Sequence, residues 1–281
     1  MESQILFIIF TAIFFCCSSA GAECPKSPLI FNFGDSNSDT GGYAAARGVI
    51  FPYPIGRKFF HKSSDRFSDG RIIIDFLCEN AKMDLLSSYL ESLTPNFKNG
   101  VNFAVGGSVA FSETDFFTLS NQILEFKRFH TRPAGCLPRM LATSTVVDFD
   151  EAGCLKPLNE AAQEFNSQLR NLSEQLRAQL MGVTMVYVDM YTIKYDLISN
   201  FALYGFENPL MACCGGGGAP YNANPNIICG GTGFSVCDED SRYISWDGLH
   251  YTDNANQVFA ARIATTNYST PPLAFDSVLC S

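Results

Sequence analysis

Apolar residues recur along the chain in two rhythms: short continuous runs that stop at glycine-rich turns, and longer stretches spaced at three and four residues. Pro28 to Phe33 (PLIFNF) is a β-prone run that ends at Gly34-Asp35-Ser36 and is followed by Asp39-Thr40-Gly41-Gly42. Val101 to Val105 (VNFAV) closes at Gly106-Gly107-Ser108, and Val183 to Val188 ends at Asp189. Each reads as a strand entering a tight polar turn. Helical spacing runs from Ile72 to Ala81, from Asp253 to Ala264 and, most clearly, from Leu158 to Leu180, where Leu158, Ala161, Ala162, Phe165, Leu169, Leu172, Leu176 and Leu180 share a face. Strands alternating with helices predict an α/β domain with a mostly parallel sheet and reactive residues at the strands' carboxyl ends.

Two segments depart from this alternation. At the amino end, an apolar run from Ile5 to Cys16 precedes the small residues Ser18 to Ala22. That pattern predicts a secretory signal peptide over residues 1–22, cleaved after Ala22, although Glu2 is the only charged side chain before the apolar run. The run is shorter than the roughly 20 residues a bilayer-spanning helix needs, so no transmembrane anchor is expected in the mature chain. From Asn208 to Asp240 the composition shifts to Gly, Pro, Asn and Cys. Gly215 to Gly218 suggest a phosphate cradle, but no Lys-Ser or Lys-Thr follows, and a disulfide-tied surface loop is the better reading.

Composition refines the picture. The 281 residues are 47% hydrophobic and 17% charged, which suits a single folded domain over residues 23–281. Loss of the leader removes one acidic residue, leaving 19 basic against 27 acidic side chains and a formal charge of −8. Nucleic acid and anionic membrane are disfavoured as partners. Of 11 cysteines, Cys16 and Cys17 leave with the leader. The remaining nine, Cys24, Cys78, Cys136, Cys154, Cys213, Cys214, Cys229, Cys237 and Cys280, are disulfide material in an oxidising compartment, and an odd number means that at least one thiol stays free or has lost its partner. A zinc site at Cys213, Cys214, Cys229 and Cys237 is the competing view, weakened by the absence of C-x-x-C spacing. Asn171 and Asn267 open glycosylation sequons.

Histidine is the natural proton carrier near neutral pH, and only His61, His130 and His250 are available. His61 and His130 sit among basic residues and are expected to face solvent. His250 follows Asp247 by three residues in a glycine-containing segment, so a carboxylate could reach its ring. Ser36, where the first strand ends in a Gly-Asp-Ser turn, is the nucleophile candidate; such a turn exposes Oγ and directs backbone N–H groups at a developing oxyanion. A helix cap is the alternative use of the same turn. Phe51, Tyr53, Phe59 and Phe60 could line a pocket, but core packing is the expectation.

The blocks Phe33-Gly34-Asp35-Ser36-Asn37-Ser38-Asp39-Thr40-Gly41, Asn102-Phe103-Ala104-Val105-Gly106-Gly107-Ser108 and Trp246-Asp247-Gly248-Leu249-His250 together resemble those of the plant GDSL (SGNH-hydrolase) esterase/lipase family. Arg66 to Arg71, Gly135 to Pro138, Cys213 to Gly215 and Tyr221-Asn222 extend the likeness across nearly the whole mature chain. The resemblance implies a flavodoxin-like three-layer α/β/α sandwich, catalysis by Ser36, Asp247 and His250, an oxyanion hole including the N–H groups of Ser36 and Gly107, and neither metal nor cofactor. It implies a secreted or cell-wall carboxylic-ester hydrolase acting on a small-molecule, lipid or acylated-glycan ester. A glycan acetylesterase, a fucosidase-like enzyme with Asp35 and Asp39 as a weak carboxylate pair, and a catalytically silent glycoprotein are the alternatives.

One family block, G-x-N-D, is missing. Gln122 to His130 resembles the helix before it and Thr131 to Pro138 the segment after it, which puts an internal deletion near 130–131. Two βα units, on the order of 60 residues, would be lost. These would be the third and fourth strands of a sheet ordered 2-1-3-4-5. The surviving fifth strand must then pair anew or leave backbone groups uncovered, and a lost oxyanion donor predicts weakened activity.

Overall fold

The computed structural model describes residues 4–8, 12–16, 30–90, 96–108, 134–180, 183–275 and 277. The expected leader cleavage point, His130, the 130–131 junction, the helix from Gln122, Cys24 and Cys280 lie outside them. In chain order the strands are Gln4–Ile8 (β1), Ala12–Cys16 (β2), Ile30–Phe33 (β3), Gly100–Asn102 (β4), Val183–Val188 (β5), Cys214–Gly215 (β6), Ser235–Val236 (β7) and Ser269–Thr270 (β8). The helices are Gly42–Arg47 (α1), Ile73–Asn80 (α2), Pro138–Thr143 (α3), Lys156–Gln179 (α4), Met190–Ser199 (α5) and Asp253–Ile263 (α6).

Among the described residues the main sheet has the order β4-β3-β2-β1-β5-β8. β3 and β4 pair in parallel, Ile30 opposite Gly100, as expected of the first two strands of an α/β sheet. β4 is shorter than the five-residue run in the sequence, yet its line continues, because Phe103 N–H donates to Asn32 O and Val105 N–H to Gly34 O. β5 occupies the range the sequence predicts. Between β3 and β5, where two further strands are expected, lie β1 and β2: β2 runs antiparallel to β3, and β1 parallel to β5. The new pairing required of β5 is therefore made by the N-terminal segment on one edge and by β8 on the other.

Alternate residues of a strand face opposite sides of the sheet. Val186 and Val188 join Ile30, Ile74, Leu77, Ile193, Leu197, Phe259 and Ile263 in one buried cluster, so α2, α5 and α6 cover that face. Met185 and Tyr187, also buried, point to the other side, and Arg177 of α4 donates to Met185 O at 2.9 Å. Helices on both faces give the three-layer α/β/α arrangement. Asp189 caps α5 by accepting Thr192 N–H at 3.0 Å, and Thr252 caps α6 through Ala255 N–H.

The cysteines of the glycine-rich loop are joined as Cys213–Cys237 and Cys214–Cys229, which excludes the zinc reading, and Cys136–Cys154 ties a third loop. Cys78 is a buried free thiol on α2, and burial pushes it up to about 12. Of the four aromatics expected in the core, only Phe51 is buried there, packed with Trp246. Tyr53 and Phe59 are exposed, and Phe59 and Phe60 carry the guanidiniums of Arg71 and Arg66 on their rings. Paired with a cation, a ring gains electrostatic attraction while remaining at the surface.

Candidate active site

β3 delivers the chain into a turn that three carboxamide and carboxylate side chains shape. Asp35 Oδ1 accepts Asn37 N–H at 2.9 Å, and Ser38 N–H donates to Asp35 O at 3.0 Å, which bends the chain around Ser36. Beneath it, buried Asn32 donates to Ser38 Oγ at 2.5 Å and to Asn102 Oδ1 at 2.7 Å. Asn102 in turn donates to Ser38 O at 2.7 Å and Thr40 Oγ1 at 2.8 Å. The two strands and the turn are thus locked by the donor ends of both side-chain amides and by Asn102 Oδ1, while Asn32 Oδ1 is buried without a partner among the described residues.

Asp39 ties this turn to the second block. Its carboxylate, fully buried, accepts the N–H groups of Gly41 and Gly42 on Oδ1 and of Tyr43 and Gly106 on Oδ2, at 2.5 to 2.9 Å. Burial raises this carboxyl above its ordinary range, against the pull of the four donors. With all its lone pairs engaged by backbone, Asp39 is not free for the glycosidase pairing with Asp35. Gly106 has to be glycine, since a Cβ there would stand 2.6 Å from the Phe67 ring. Gly107, exposed and at φ 81°, sits in the left-handed region.

The second arm reaches the same place from the far end of the chain. Cys213 and Cys214 N–H groups donate to Ser245 and Trp246 O, so the disulfide loop forms a ladder with the segment entering the Asp-Gly-Leu-His turn. Trp246 is fully buried under the Arg57 guanidinium, which also donates to Cys237 O at 2.7 Å. Gly248 at φ 89° lets the chain reverse, and its carbonyl accepts Arg139 N–H from the start of α3 at 3.2 Å. Asp247 Oδ1 accepts Leu249 and His250 N–H at 3.0 and 2.8 Å, while its Oδ2 lies 2.7 Å from His250 Nδ1. Phe67 packs on the imidazole with ring centres 4.8 Å apart. Phe67 is itself carried by a loop that the buried Arg66–Asp75 ion pair anchors at 2.8 Å.

The two arms meet with His250 Nε2 2.8 Å from Ser36 Oγ. Burial alone would lift Asp247, but the attraction of His250 and the hydrogen bonds it receives hold it down at about 2. An ionised Asp247 only accepts, so Nδ1 carries the imidazole proton and Nε2 is left to accept from Ser36. Among the described residues the N–H groups of Ser36 and Gly107 have no acceptor. No group of three or more His, Cys, Asp or Glu side chains among the described residues could hold a metal ion.

Ser36 and the Asp247–His250 pair, predicted from two motifs at opposite ends of the chain, are thus brought together, and Gly107 sits on the loop that Asp39 tethers through Gly106. Asn171 and Asn267 are exposed on α4 and in the turn before β8. His61 is exposed, its ring 3.2 Å from Arg57 O. Sequence reasoning missed the roles of Asp39, Asn32, Asn102, Phe67 and Arg139. Asn102 and Asp39 do lie inside the motif blocks, but only the fold shows which backbone groups they bind.

Hydroxyl, imidazole and carboxylate in hydrogen-bonded series define the nucleophile–base–orienter arrangement of hydrolases that form covalent intermediates. The GDSL-like Lipase/Acylhydrolase profile matches residues 30–132 and again 118–263, and the chain belongs to that family. It is 38% identical to the GDSL esterase/lipase LIP-4 of Arabidopsis thaliana over 338 residues, covering 92% of this chain and 91% of that one. It is similar also to an esterase of Hevea brasiliensis (34% identical, 94% and 93% covered) and to the GDSL esterase/lipase ENOD8 of Medicago truncatula (32%, 89% of each). Since 92% of 281 residues is about 259, roughly 80 of the 338 positions aligned with LIP-4 hold no residue of this chain. The gap is larger than the two βα units counted from the motifs. The two profile matches meet at 118–132, around the junction read from the sequence.

Proposed function

We propose that the chain is a secreted carboxylic-ester hydrolase that uses Ser36 as nucleophile, His250 as general base and then acid, and Asp247 as the group that orients and charges the imidazole. The observation that carries this reading is the 2.8 Å contact of His250 Nε2 with Ser36 Oγ, 214 positions away, backed by the 2.7 Å contact of Nδ1 with Asp247 Oδ2. As Ser36 Oγ bonds to the ester carbonyl carbon, its proton passes to His250 Nε2, and the oxyanion is held by the N–H groups of Ser36 and Gly107. His250 returns the proton to the departing alkoxide. A water, deprotonated by the same nitrogen, then releases the acid and restores the serine. The esterase and lipase names of the relatives support an ester as substrate, whether of a small molecule, a lipid or an acylated glycan. The leader over residues 1–22 and the exposed Asn171 and Asn267 support secretion and glycosylation.

Turnover is weak in this form, because the family's G-x-N-D donor is missing from the chain; one absent oxyanion donor costs about 2.7–4 kcal/mol of transition-state stabilisation. Purified protein should hydrolyse p-nitrophenyl acetate slowly, and Ser36→Ala should reduce the rate to that of buffer. Unchanged hydrolysis by Ser36→Ala would discard the assignment.

A further inference from the structure

We infer that Asp39 is a positioning residue for the oxyanion hole, holding the Gly106-Gly107 loop against the Ser36 turn; this rests on the Ser36–His250–Asp247 reading above. The Ser36 and Gly107 N–H groups come from segments about 70 positions apart in sequence; Val105 N–H donates to Gly34 O between them, and the Asp39 carboxylate makes the link next to Gly107 itself. Oδ2 receives Tyr43 N–H, from the first turn of α1, at 2.9 Å and Gly106 N–H at 2.6 Å, while Oδ1 receives Gly41 and Gly42 N–H at 2.8 and 2.5 Å. One buried carboxylate therefore fixes the helix that follows the nucleophile and the residue that precedes Gly107. Gly106 is also held from outside by the Phe67 ring, and Phe67 packs on His250, so both arms of the site converge on one glycine. The requirement is for four acceptor lone pairs at zero exposure, which a carboxylate supplies and a carboxamide does not: after Asp39→Asn the new NH2 group would face two N–H donors. With one family donor absent from this chain, the oxyanion rests on fewer groups, and each must be held more closely in place.

The test uses the full chain with Asp39→Asn and Asp39→Ser, counting active sites by fluorophosphonate titration so that misfolded protein does not enter the rate. Asp39→Asn should lower kcat per titrated site for p-nitrophenyl acetate by about 10²-fold, with KM within about twofold, because only transition-state stabilisation is lost. Affinity for a trifluoromethyl ketone, which forms the oxyanion adduct, should fall in step with kcat. An unchanged kcat per titrated site, with only the number of sites reduced, would make Asp39 merely structural and overturn the inference. A second measurement needs no variant to fold and no turnover: amide hydrogen exchange of the wild-type chain should show Gly106 strongly protected and Gly107 open. Equal exchange at the two glycines would overturn it as well. Wild-type protein that neither turns over ester nor labels at Ser36 would instead remove the proposed function, leaving the exchange experiment to decide the geometry.

Discussion

The corner of the molecule that holds Ser36 and the middle of its sheet are built in opposite ways. In the corner, segments 32–43, 66–71, 102–107 and 245–253 are held by side chains that satisfy several backbone groups each: Asp39 four, Asp247 two besides the imidazole, and Asn102 a carbonyl and an N–H. Among the described residues these bonds are made without any strand between β3 and β5 taking part. In the middle, the strands that stand between β3 and β5 are β1 and β2, from the segment read as a leader, and they are joined to both by backbone pairing. A site can thus stay assembled while the sheet beneath it has lost its central units, because its contacts are carried by turns and disulfide-tied loops.

Three changes would sharpen or break this contrast. The largest effect is expected from the corner itself: Ser36→Ala or His250→Ala should lower ester turnover by about 10³-fold or more, with the melting temperature little altered. Next, grafting the absent segment at 130–131 should restore a donor and raise kcat by about 10²–10³-fold, and should give sharper thermal unfolding. If it leaves both unchanged, the sheet's middle does not matter to the site. Third, removing residues 1–22 should leave β3 and β5 with unpaired edges. Dye binding and loss of a cooperative transition would reveal it, whereas a sharper transition would show that β1 and β2 contribute nothing to the mature fold.

Smaller effects probe how the corner is held. Asp75→Ala strands the buried Arg66 guanidinium and should destabilise the fold by about 3–5 kcal/mol in denaturant titrations, weakening the support of Phe67. The least effect concerns acid. Asp247 at about 2 lies below the unfolded carboxylate value of about 3.9, so the native state binds fewer protons there. Its contribution is complete above the unfolded value and disappears as pH falls through about 2. Asp247→Asn should flatten that part of the acid-unfolding curve while cutting turnover at neutral pH.

Much of the corner could be read in the residues alone. With three histidines in the chain, an imidazole next to Asp247 and a serine ending a strand narrow the choice before any fold is known, and the α4 and β5 ranges follow from apolar spacing. What stayed hidden depends on where backbone groups end up. Asp39 reads as a turn residue until Gly106, 67 positions away, is seen donating to it. Phe59 and Tyr53 read as core because their surface partners, Arg71 and Glu239, lie elsewhere in the sequence.

The central claim is that the hydroxyl and imidazole are joined in a working pair despite the missing units. Mass mapping of a fluorophosphonate adduct tests it most directly: the account predicts a single adduct on the Ser36 peptide that disappears in His250→Ala. An unlabelled wild-type chain, or labelling that persists without His250, would contradict it.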